Sequence, residues 1–112
     1  MVKNLAILER GDIVWIDFSP TRGHEQSGLR PAVVVSSKAY NHFSGLILVC
    51  PMTSKSKNYS FEVPVKGPNG ESFVLADQIR SFDIKERIKR IAGKISTQEI
   101  NEILGRVFVL FG

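Results

Sequence analysis

Short apolar runs rich in Val and Ile, each cut off by Gly, Pro or a polar cluster, fill residues 12–95. Only after Ser96 does the apolar spacing lengthen to a helical one. Many short strands followed by one helix restrict the chain to a mainly β fold with a packed C-terminal helix. The first two strands are expected at 12–18 and 32–36, where β-branched and aromatic residues sit between turn residues. A helical turn is expected at 37–42, ending at Ser44-Gly45, and the near-continuous apolar run 46–52 predicts a central strand. Phe61-Glu62-Val63-Pro64-Val65 alternates, and Pro64 marks an edge strand or a bulge. Gly67-Pro68-Asn69-Gly70 predicts a turn. Residues 72–75 and 77–82 continue the sheet, and 88–95 is a last strand interrupted at Ala92-Gly93. Ser96-Thr97-Gln98-Glu99 reads as a capping box. Behind it, Ile100, Ile103, Leu104, Val107, Phe108 and Phe111 share one face, which is expected to be buried. A strongly curved small barrel with a packed helix satisfies this pattern.

At 112 residues the chain, 1–112, is expected to form a single domain. With 43% apolar residues it has enough to bury for a folded state. The 15 Lys and Arg against 11 Asp and Glu leave a net charge of +4. That excess fits ordinary solubility, and it fits an anionic partner, because a basic surface concentrates polyanions. Cys50 is the only cysteine and lies in an apolar run, so an inert buried thiol is expected. The N-terminal apolar run is too short for a signal peptide, and no segment approaches a membrane span, which predicts a cytoplasmic protein. No Cys/His cluster has metal-ligand spacing, and no Gly-rich motif would cradle a phosphate. Neither a metal nor another cofactor is therefore expected.

The chemistry concentrates between the first two strands, in Gly23-His24-Glu25-Gln26-Ser27-Gly28-Leu29-Arg30-Pro31. This stretch holds an imidazole, a carboxylate, an amide and a guanidinium, the parts for proton transfer and phosphate binding. Glycines at both ends allow sharp bends. Pro31 biases Arg30 toward an extended conformation.

The succession Gly11-Asp12-Ile13-Val14-Trp15, Asp17-Phe18-Ser19-Pro20-Thr21, Gly23-His24-Glu25-Gln26 and Arg30-Pro31-Ala32-Val33-Val34 resembles the MazF/PemK family of toxin endoribonucleases. Pro51-Met52-Thr53-Ser54, Leu75-Ala76-Asp77-Gln78 and Glu102-Ile103-Leu104-Gly105-Arg106-Val107 continue the likeness. It runs from about Gly11 to the C-terminus. The resemblance implies an SH3-like β-barrel with a C-terminal helix, usually a homodimer. It also implies a metal-independent, sequence-selective endoribonuclease acting on single-stranded RNA. Such a protein is the toxin of a toxin–antitoxin pair, neutralised by an acidic, partly disordered antitoxin. A rival expectation is a non-catalytic small-barrel toxin that binds nucleic acid or, like the gyrase-poisoning toxins of similar fold, DNA gyrase. The set Glu25, Arg30 and Thr53 separates the two, since a pure binder does not require it.

RNA carries its own nucleophile in the 2′-OH, so protein groups need only move protons and stabilise the phosphorane. Read alone, Arg30 is an ordinary exposed arginine; the resemblance makes it the catalytic one, a bidentate partner for phosphate oxygens. Thr53, alone a turn-forming hydroxyl bonded to its own backbone, becomes a donor to a non-bridging oxygen. His24 and Glu25 compete for the base role. One branch of the family uses a histidine at the position of His24, and another relies on the glutamate and arginine. This chain has both, and the choice stays open. Asp77 either contacts RNA and orients a catalytic group, or is a structural hydrogen-bonding residue at a strand entrance; Gln78 follows it. One family branch has an arginine two residues before this Asp; Leu75 stands there here, so a scheme built on that arginine does not transfer. Gln26, Ser54, Lys55 and Lys57 complete the expected RNA contacts, the lysines tracking the backbone. Phe43 is expected in the core. The run Lys85-Glu86-Arg87-Ile88-Lys89-Arg90 is as well explained by a solvated edge as by a binding surface.

Overall fold

Strand β3 (Leu46–Thr53) organises the protein, because three other strands pair with it antiparallel along its length. The computed structural model describes residues 8–18 and 28–112. Its elements are β1 (Asp12–Asp17), β2 (Leu29–Val34), α1 (Lys38–Ser44), β3, β4 (Glu62–Gly67), β5 (Gly70–Leu75), β6 (Arg80–Asp83), α2 (Ile84–Arg87), β7 (Ile88–Lys94) and α3 (Thr97–Val109). The sheet runs β4-β5-β3-β2-β1-β7, with β6 also on β3. The N-terminal half of β3 pairs with β6 and its last two residues with β5, so the sheet curls around this strand. The fold is the expected one: a curled, mainly β sheet closed by a C-terminal helix.

Strand alternation sorts the apolar residues into two cores. From β1, Ile13 enters one cluster, with Val33, Cys50, Met52, Val63, Val74, Ile103 and Val107. Val14 and Ile16 enter the other, with Ala32, Val34, Ile47, Val49, Phe82 and Ile88. Helix α3 covers the first cluster through buried Ile103 and Val107, each contributing about 1.5–3 kcal/mol of apolar transfer. The capping box at Ser96 forms as expected. Glu99 closes that box and also accepts the Lys66 amide at 3.0 Å, which ties the helix start to β4. Gly11, at φ +97°, lets the helix approach: a Cβ there would lie 2.5 Å from Ile100 Cδ1.

Several expectations need correction. Strand β2 starts at Leu29, so Arg30 and Pro31 belong to the sheet. Pro31 tolerates this position opposite Trp15, and it holds Arg30 extended opposite Ile16. Asp77 and Gln78 sit in a turn between β5 and β6, closed by the Gln78 amide donating to the Leu75 carbonyl at 3.1 Å, and are not at a strand start. Phe43 is 89% exposed. It lies on α1, whose seven residues pack through Asn41 and end at Gly45 in the left-handed region. The predicted buried face of α3 stops at Val107: Phe108 is 64% and Phe111 79% exposed. Helix α2 was not expected at all.

Candidate RNA-cleavage site

Arg30 and Thr53 lie at the same end of the sheet because β2 and β3 are antiparallel neighbours. The paired residues are Val34 with Val49, Val33 with Cys50, and Ala32 with Pro51. Continued past Ala32, this register carries Arg30 opposite Thr53, on the face of the second core. Arg30 is exposed. Among the described residues its guanidinium has no carboxylate partner. Thr53, the last residue of β3, is half-buried and pairs with Phe73 of β5. Its Oγ1 accepts the Lys55 amide at 3.3 Å. The turn-forming hydrogen bond is therefore real, yet it occupies only the acceptor side. The hydroxyl proton is left to donate, which is what phosphate binding requires.

The loop at 53–59 continues from Thr53 with Ser54, Lys55 and Lys57 exposed. Its shape is set by Glu62, the buried first residue of β4. Glu62 accepts the Lys57 amide at 2.8 Å and the Ser56 hydroxyl at 2.7 Å. The Lys57 amide and then the Ser56 hydroxyl hold its carboxyl below the usual range, against the smaller opposing effect of burial. The sequence does not single out this loop-holding carboxylate. The signal was a lone acid in an otherwise apolar alternating strand.

The turn bearing Asp77 abuts β3 where the Cys50 thiol donates to the Ala76 carbonyl at 3.8 Å. Burial, and secondarily the Asp77 charge, pushes the Cys50 thiol up to about 12, so it is no nucleophile. The Tyr59 phenol donates to Asp77 Oδ2. That bond, more than desolvation, raises the Tyr59 pKa. Among the described residues, Asp77 Oδ1 is buried without a hydrogen-bond partner. Gln78 beside it is exposed. The structure thus gathers Arg30 and Thr53 at one sheet end, with the lysine loop continuing from Thr53 and joined to Asp77 through Tyr59. His24, Glu25 and Gln26 lie outside the described residues.

Phe43 does not join this group. Helix α1 links the opposite ends of β2 and β3, so Phe43 sits at the far pole of the sheet.

Residues 9–111 match the family model described as PemK-like, MazF-like toxin of type II toxin–antitoxin system. The endoribonuclease toxin MazF of Escherichia coli K12 is 40% identical over 104 residues, covering 93% of this chain and 94% of the relative. The endoribonuclease PemK of Escherichia coli is 31% identical over 112 residues, covering 96% and 84%. Among solved structures, the MazE–MazF crystal structure (Form-II) from Deinococcus radiodurans matches with a TM-score of 0.83 at 39% identity, covering 95% of this chain and 96% of that one.

Proposed function

The chain belongs to the PemK-like, MazF-like toxin family of type II toxin–antitoxin systems, and from that membership we propose that it is a metal-independent endoribonuclease that cuts single-stranded RNA at selected sequences. The observation that supports the residue assignment is the antiparallel pairing of β2 with β3, from Val34–Val49 to Ala32–Pro51, whose continuation would bring Arg30 and Thr53 together. Arg30 binds the scissile phosphate and stabilises the charge that builds on the phosphorane. The Thr53 hydroxyl donates to a non-bridging oxygen. Glu25 or His24 takes the proton of the attacking 2′-OH as the new O–P bond forms. The P–O5′ bond breaks, and the departing 5′-oxygen takes up a proton. The products are a 2′,3′-cyclic phosphate and a 5′-hydroxyl end. Gln26, Ser54, Lys55, Lys57, Asp77 and Gln78 hold the flanking nucleotides. The test is incubation with a long RNA in EDTA, with mapping of cut sites and end groups. Strict Mg²⁺ dependence or 5′-phosphate products would refute the mechanism.

The biological partner on this reading is an acidic, partly disordered antitoxin, and the working compartment is the cytoplasm. Among the described residues no helix is long and apolar enough to cross a membrane. The working form is a homodimer with RNA bound near its interface. Exposed Phe108, Val109 and Phe111 at the end of α3 support this, being apolar surface that a second copy would cover. Sedimentation should find a dimer; a fully active monomer at working concentration would remove this part of the proposal.

A further inference from the structure

Two phenylalanines form a floor beneath one guanidinium, close to Arg30. Arg80, exposed on β6, lies 5.3 Å from the Phe18 ring centroid and 5.0 Å from that of Phe82. The two rings meet edge to face at 5.0 Å. Phe82 is core, whereas Phe18 is half-buried at the rim. Arg87 packs on the same ring of Phe82 at 5.9 Å, but its Nη1 donates to the Asp17 carbonyl at 2.9 Å, so it is anchored to the chain. Arg80 differs: among the described residues no carboxylate or carbonyl takes its donors.

Position gives this cluster its meaning. The Phe18 amide donates to the Gly28 carbonyl at 2.7 Å, one step beyond the Asp17–Leu29 pair and two beyond the Ile16–Arg30 pair. Phe18 and Arg30 are therefore diagonal neighbours on one face of the β1–β2 pair, about 7–8 Å apart. On the other side, Arg80 pairs with Val49 of β3, on the strand that ends at Thr53. The platform thus lies beside Arg30, and four residues along β3 from Thr53. A planar guanidinium resting on aromatic rings, exposed and without a hydrogen-bond acceptor among the described residues, is a stacking surface for a splayed base.

We propose that Arg80 and Phe18 form a stacking platform for one base flanking the scissile phosphate, and that Arg80 is a specificity-determining residue. The inference rests on the endoribonuclease reading above and adds a base-binding subsite to it.

The experiment uses the full chain and a cleavable RNA of mapped sequence, made uncleavable by 2′-deoxy at the scissile position. Each flanking nucleotide is replaced in turn by an abasic one. For the wild type, one abasic position should weaken binding roughly five- to a hundredfold, the range for one stacked base. Arg80→Ala should weaken binding to intact RNA by a similar factor and should lose the penalty at that position alone. Arg80→Lys, which keeps the charge but not the plane, should lose that penalty too. If both variants retain every abasic penalty, Arg80 is a phosphate contact or a packing residue and the platform is wrong. An unchanged affinity in both variants, with melting temperature preserved, overturns it equally. Wild-type protein that cuts RNA while either result holds leaves the endoribonuclease reading intact; wild-type protein that neither cuts nor binds RNA removes both.

Discussion

The Tyr59 phenol donates to Asp77 Oδ2, so the lysine-bearing loop after β3 and the turn after β5 are held as one unit. Tyr59→Phe removes the donor and frees the loop end. RNA binding should weaken, while the cleavage rate at saturating RNA changes little, because neither oxygen of Asp77 is asked to stabilise the phosphorane. The same bond raises the phenol pKa. An ultraviolet titration should therefore lose its latest-ionising tyrosine in Asp77→Asn. Identical titrations in the two proteins would show that the bond does not form in solution.

Lys55 and Lys57 are expected to act on affinity through flanking phosphates. Each phosphate contact contributes about 0.7 to the log–log salt slope for a single strand. Changing both to Ala should weaken binding of an uncleavable RNA and flatten that slope, with saturated cleavage nearly unchanged. An unaltered slope would make them solvated loop residues only.

Glu62 gives the same loop a pH dependence with a defined sign. Its carboxyl is held below the usual range by the Lys57 amide and then the Ser56 hydroxyl. The folded group thus has a lower pKa than the unfolded one. Its contribution is present above the unfolded pKa and fades as pH falls through the folded one. The stability difference between wild type and Glu62→Gln should be largest near neutrality and should shrink through the acidic carboxylate range. Protection of the Lys57 amide from hydrogen exchange should follow it. A difference constant with pH would contradict this account.

Much of the fold was legible because strand alternation and capping are local signals. Ile13 and Val14 point to different cores as their alternation demands, and Ser96 caps α3 with Glu99 as their spacing demands. Coverage was not legible. Phe108 and Phe111 share the helical spacing of Ile103, but the sheet does not reach beneath them, and spacing alone cannot show where a neighbour ends. Helix α2 had a signal, Asp83 three residues before Glu86, which does cap it. The run of charges around it outweighed that short motif. Arg30 was readable as a residue type; its place in β2 opposite Ile16 depended on a pairing that starts earlier than the apolar run. Arg80 and Phe82 share β6 and lie two residues apart, a spacing the sequence did show, but Phe18 reaches them from the end of β1, and that contact was not legible.

The central claim is that Arg30 stabilises the transition state at the sheet end shared with Thr53. Single-turnover cleavage of one defined RNA in EDTA by Arg30→Ala, with folding checked by melting, tests it most directly. Loss of one preorganised donor costs about 2.7–4 kcal/mol, so the rate should fall roughly a hundred- to a thousandfold. Thr53→Ala in the same assay should fall severely, but less. A folded Arg30→Ala protein that cuts at near wild-type rate would contradict the account.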